Sequence, residues 1–241
     1  GTSAMLCVAM GEGQEIIYRV SSEEIPLSNL RNAWSEQDPE SWIVALETCL
    51  KKLQLKIDFQ QIKSISFSGH MHGATCLNEK NEIIRPCILW NDTRSHQECE
   101  EIMRDNTVKD IAGNIAMPGF TAPKVLWLKY NEPENFKHIN KVLLPKDFLR
   151  FYLTGDFYSD LSDASGTYWL DIAKREWSQK LLDAGSMQIS QMPKVCEGTD
   201  QTGTLKKEIA DKYRFSQNCK VYGGAGDNAA AAVGLGLYEE G

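Results

Sequence analysis

Runs that read as strands alternate along this chain with runs that read as helices, and three of the strand-like runs adjoin loops of glycine and small polar residues. That alternation commits the chain to an α/β fold, in which helices cover a sheet. The opening reads as a hairpin, because AMLCVAM and QEIIYRVSS flank GEG, a glycine-bearing turn. A helix follows with clear punctuation: Asp38 as N-cap, Pro39 at the first helical position and Glu40 in the first turn. Trp42, Ile43, Leu46, Cys49, Leu50 and Leu53 then recur at helical spacing and form one apolar stripe, with Lys51 and Lys52 at the C-terminal end where the helix dipole favours cations.

Further along, IKSISFSG (62–69) reads as one strand, and GATCLNEKNEIIRPCILW as two strands joined at Asn78–Asn81. Residues 94–104 turn helical and charged, and PKVLWLKY and PKDFLRFYL read as helices with a proline at or near the start. DLSDASGT reads as a polar loop, YWLD as a short strand and REWSQKLLDAG as a helix closed by glycine. LKKEIADKYRF is a further helix, and CKVYGGAGDN a strand leading into a glycine-rich loop. With no internal repeat and no low-complexity linker, the pattern predicts one α/β domain with a mixed sheet flanked by helices.

The chain has 241 residues, 42% hydrophobic and 24% charged, enough to bury a full core. A net charge of −7 argues against a broad nucleic-acid surface. No apolar run approaches the roughly 20 residues that span a bilayer, and the N-terminus lacks the pattern of a signal peptide. Seven cysteines, an odd number with no CxxC pair, fit free thiols in a reducing cytoplasm better than disulfides or a zinc knuckle.

Chemistry is expected where loops adjoin strand ends, since ligands of open α/β sheets bind beyond the carboxyl ends of strands. FSGHMHG (67–73) and GGAGDN (223–228) each follow a strand, and Gly1-Thr2-Ser3 precedes the first one. Asp227 reads either as a helix cap or as a reactive carboxylate that its glycines let a substrate approach. On an extended segment His70 and His72 face the same way, which opens a zinc reading. The sequence supplies no third ligand motif, and polar contact with a hydroxylated ligand or simple packing competes with it.

Several stretches resemble the FGGY family of carbohydrate kinases, and within it the N-terminal half of the members that act on xylulose. They are WSEQDPESW (34–42), SGHMHGATCLNEKNEIIRPCILWNDTR (68–94), PGFTAPKVLWL (118–128), KVLLPKDFLRFYLTGDFYSDLSDASGTYWLD (141–171) and GGAGDNAAAAVGLG (223–236). The resemblance implies an actin-like, ribonuclease H-like fold, with residues 1–241 as the sugar-binding N-terminal domain. It implies ATP-dependent phosphorylation of a ketose, D-xylulose first, with Mg2+, and a C-terminal nucleotide-binding domain as partner. Asp227 resembles the family's catalytic base, Asn228 a neighbour that binds sugar hydroxyls, and Met71 and His72 its sugar-binding pair. Gly1, Thr2 and Ser3 resemble the remnant of a hairpin that approaches the terminal phosphate of ATP.

The family's hairpin begins with an aspartate that helps hold magnesium, and this sequence starts inside that motif. Together with its end at Gly241, this implies a domain truncated at its start, separated from its nucleotide-binding half and nearly inactive alone. His70 stands where family members usually carry Gln. The resemblance also implies a cytoplasmic enzyme that often pairs as a homodimer. The alternatives are a kinase for another sugar or polyol, such as ribulose or gluconate, and a non-catalytic actin-like sugar-binding domain.

Overall fold

The computed structural model describes residues 3–29 and 31–237. Strands Leu6–Met10 and Ile16–Ser21 form the expected antiparallel hairpin, with Cys7 opposite Val20 and a register shift at Ala9/Met10. In its turn the left-handed position is taken by Gln14, at φ +66°. Helix Pro39–Gln54 starts at Asp38, whose carboxylate accepts the Glu40 N–H at 3.0 Å. Its stripe of Trp42, Leu46, Leu50 and Leu53 is buried in one apolar cluster with Leu149, Leu153, Ile209 and Tyr213. A second cluster gathers Val125, Leu126 and Trp127 of helix Thr121–Asn131 with Tyr168 and Trp169.

The sheet is mixed. Strand Lys220–Tyr222 lies between Gln201–Thr204, antiparallel to it, and Ser64–Ile65, parallel to it. The run 62–69, read from sequence as one strand, is two short ones: Ser64–Ile65 and Ser68–Gly69, the second parallel to Ala225–Gly226. The interruption has a physical cause. Val221 pairs with Ile65 and Ala225 with Ser68, so the later strand carries one extra residue over the same stretch. Gly224 sits there at φ +78°, where an added Cβ would lie 2.0 Å from the Phe67 carbonyl oxygen. Only glycine has room and freedom for that bulge.

Strands Thr75–Leu77 and Cys87–Ile88 form as expected but pair mainly elsewhere, with Lys141–Leu143 and Glu36–Gln37. The two segments meet each other through isolated bridges at Ala74–Ile88 and Leu77–Ile83 rather than a continuous ladder. DLSDASGT is not a loop: Leu161–Ala164 is a helical turn, followed by a 3-10 turn at Ser165–Thr167. Asp160 drives this by accepting the Ser162 and Asp163 N–H groups at 2.9 and 3.2 Å, satisfying donors that a helix start leaves open. In REWSQKLLDAG, Glu176–Trp177 is instead a strand beside Leu170–Asp171, and the helix is only Gln179–Ala184, capped by Ser178. All seven cysteines are free thiols.

Candidate functional site

The parallel pairing of Ser68–Gly69 with Ala225–Gly226 brings the two glycine-bearing strand ends side by side, with Gly226 opposite Gly69. Each chain then leaves the sheet into a segment singled out by sequence, Met71–His72 on one side and Asp227–Asn228 on the other. Met71 fills the space that side chains would otherwise take. A Cβ on Gly226 would lie 2.9 Å from Met71 Cγ and Sδ, and one on Gly166 would lie 2.4 Å from His72 Cε1. Glycine at these two places is what lets Met71, His72, the 160–167 turn and the start of the last helix meet.

Asp227 is the first residue of helix Asp227–Gly234 and half-buried, whereas Asn228 is exposed. The helix N-cap is Gly226, and no side-chain cap bond is present, so the capping role read for Asp227 is not formed. Its charge still sits in the first turn, where the helix dipole favours an anion. The backbone in front of it is held by Ser162: the Gly226 N–H donates to Ser162 Oγ at 3.2 Å, and the Ser162 hydroxyl donates to the Asp160 carboxylate.

His72 occupies the tightest backbone in the site. The Gly73 N–H donates to the Met71 carbonyl at 2.9 Å across His72, which stands at φ +68°. This is a γ-turn of the rare positive-φ kind. The segment is therefore not extended, and the shared face expected for His70 and His72 does not exist. His70 is buried edge-on to Trp42, 5.7 Å between ring centres, and burial lowers its pKa to about 4. His72 packs on Phe120 at 4.9 Å and engages the Gly166 carbonyl through Nδ1 at 2.8 Å.

A carbonyl only accepts, so Nδ1 carries the ring proton. Burial draws the His72 pKa below its ordinary value; the Gly166 bond and the Asp227 charge raise it, while Lys124 lowers it. The ring is thus neutral near pH 7, with Nε2 as a lone-pair acceptor, and Asp227 lies within electrostatic reach.

Behind the site, Lys146 is buried and pairs with Asp147 and Asp160 at 2.6 Å and Asp163 at 3.3 Å. Its Cβ sits directly under Gly69. Burial raises the Asp163 pKa to about 8 against the pull of Lys146. Among the described residues, no three His, Cys, Asp or Glu side chains gather as a metal site. Of the phosphate-hairpin remnant, Ser3 is exposed and its carbonyl accepts the Ile25 N–H at 2.8 Å; Gly1 and Thr2 lie outside the described residues. Sequence reading missed Gly166, Phe120 and Lys124 as neighbours of His72. The stretch PGFTAPK carried the signal for the last two, but nothing local shows which loop they reach.

Residues 1–234 match the model of the FGGY family of carbohydrate kinases, N-terminal domain. A xylulose kinase of Escherichia coli (strain K12) is 45% identical over 240 residues, covering 99% of this chain and 49% of that protein. Among solved structures, a xyloylose kinase from Brucella ovis superposes with a TM-score of 0.97 at 44% identity, over 100% of this chain and 50% of that one. A gluconate kinase from Lactobacillus acidophilus gives 0.91 at 26% identity, over 98% and 48%. The mixed α/β architecture is that of the actin-like, ribonuclease H-like fold. The chain spans about half the length of these relatives.

Proposed function

Because the chain belongs to the FGGY family of carbohydrate kinases, we propose that residues 1–241 are the sugar-binding domain of an enzyme that transfers the γ-phosphoryl group of ATP to a ketose, D-xylulose first. The observation that carries the reading is the meeting of Met71 and His72 with the strand end that bears Asp227. Similarity to a xylulose kinase at 45% identity supports the choice of sugar.

Phosphoryl transfer asks the protein mainly for alignment and charge stabilisation. In the proposed reaction Asp227 takes the proton of the acceptor hydroxyl as its oxygen bonds to the γ-phosphorus. The bond from that phosphorus to the β–γ bridging oxygen breaks, and its electron pair leaves with ADP. His72 Nε2 accepts a sugar hydroxyl, Asn228 offers both an amide donor and an acceptor, and Met71 lines an apolar C–H face of the sugar. ATP is assigned to a C-terminal nucleotide-binding domain with Ser3, Thr2 and Gly1 near its terminal phosphate. Magnesium would arrive with the ATP phosphates, a setting that needs only one or two protein carboxylates. The described residues do not form a metal cage by themselves, and no step assigned to this chain runs through the ion.

The test is Asp227→Ala in the intact kinase, assayed on D-xylulose with ribulose, gluconate and glycerol as comparison substrates. kcat should fall about 100-fold or more, the range of general-base catalysis, while the melting temperature holds. Activity within about threefold of the parent would remove Asp227 as the base. A preference for gluconate or glycerol would overturn the choice of ketose.

A further inference from the structure

Lys124 is fully buried on helix Thr121–Asn131, where burial lowers its pKa to about 7, and its Nζ donates to backbone carbonyls: His72 O at 2.9 Å and Gly119 O at 2.5 Å. The Thr121 hydroxyl donates to the same His72 oxygen at 3.2 Å. Lys146, the other deeply buried lysine near the site, is instead surrounded by carboxylates. Burying a polar amine is costly unless its donors are matched, and the carbonyls of His72 and Gly119 match two of those of Lys124.

The carbonyl it reaches belongs to the central residue of the γ-turn. The turn's own hydrogen bond uses the Met71 carbonyl and the Gly73 N–H. The His72 carbonyl is left over, on a residue at φ +68° that a non-glycine side chain seldom adopts. Strained backbone of this kind persists only where surrounding contacts over-determine it. Lys124 and Thr121 supply those contacts. The second Lys124 bond, to Gly119, anchors the segment that presents Phe120 to the His72 ring.

We propose that Lys124, assisted by Thr121, is a positioning residue for sugar recognition: it holds the His72 carbonyl, and so aims the imidazole at the ketose, without touching substrate itself. This rests on the assignment of His72 as a sugar contact. The structure of the link predicts its signature. Lys124 changes the affinity for ketose only through His72, so its effect disappears once His72 is gone.

The experiment is a double-mutant cycle in the intact kinase, reading KM for D-xylulose and kcat separately for Lys124→Met, Thr121→Val, His72→Ala and the two pairs with His72→Ala. Lys124→Met and His72→Ala should each raise KM about tenfold with a smaller change in kcat, and the double variant should match His72→Ala alone. Thr121→Val, which removes a neutral donor and keeps the shape, should raise KM about threefold and likewise have no effect beside His72→Ala. It decides the matter if Lys124→Met does not fold.

If His72→Ala raises KM while Lys124→Met and Thr121→Val leave it within about twofold, the positioning role is wrong and the sugar contact stands. If Lys124→Met raises KM equally in both backgrounds, Lys124 acts through something other than His72 and the proposal fails. If His72→Ala leaves KM unchanged, the sugar-contact assignment itself fails, and the positioning role with it.

Discussion

Burial against Trp42 keeps the His70 ring neutral at pH 7, and its pKa of about 4 has a consequence for acid stability. Above pH 6.5 neither the folded nor the unfolded chain protonates this residue. As pH falls from 6.5 towards 4, the unfolded chain takes the proton and the folded chain resists it, so stability drops with pH and the loss is complete below the folded value. The full effect is roughly 3 kcal/mol, of which about 2 kcal/mol has gone by pH 5. Glutamine cannot titrate, so His70→Gln should lose about 2 kcal/mol less than the parent between pH 7 and pH 5 in urea melts. Equal losses would show that His70 is not the residue that charges. At this scale the sequence named His70, His72 and Asp227 and allowed for a packed histidine, which His70 is, but the shared face of the two histidines does not form. A two-residue spacing puts side chains on one face only if the backbone is extended, and the γ-turn at His72 breaks that condition.

Helix Pro39–Gln54 was legible in full because its signals are local: a capping aspartate, a proline at N1 and a stripe whose period is the helix's own. Asp38→Ala removes the bond to the Glu40 N–H and should cost about 1 kcal/mol, read as a lower melting temperature with unchanged kinetics. A cost near zero would mean that water replaces the carboxylate. The turn at 160–167 shows where local reading stops. Its serines, aspartates and glycine have the composition of a loop, but Asp160 satisfies the first N–H groups of a short helix and Lys146 neutralises it from beneath. Equally, REWSQKLLDAG has helical composition throughout, yet Glu176–Trp177 is drawn into a strand by Leu170–Asp171, and the Trp177 indole donates to the Pro193 carbonyl at 2.6 Å. A strand partner outside the window overrode propensity in the second case, whereas in the first a cap inside the window turned a loop composition into a helical turn.

Over the whole molecule, the Lys146 group joins three elements behind the site: helix Pro145–Thr154, strand Tyr158–Asp160 and helix Leu161–Ala164. Burial pulls the Lys146 pKa down, but Asp147, Asp163 and Asp160 carry it above its ordinary value, so the ammonium stays charged. Lys146→Met would leave those carboxylates buried without their cation and should cost 3–5 kcal/mol, roughly the penalty for breaking a buried pair. Urea denaturation measures it directly, and a loss below about 1 kcal/mol would mean that water reaches the cluster. The amino-acid order by itself determined the mixed α/β class, the opening hairpin, the capped helix and the family, because periodicity, caps and motifs act within a few residues. Tertiary structure decided which strands pair, that 62–69 is broken opposite Gly224, and that His72 is held from helix Thr121–Asn131 by a lysine 52 residues further along the chain. Those outcomes depend on burial and on hydrogen-bond partners distant in sequence, and no local pattern specifies where a buried lysine amine finds its acceptors.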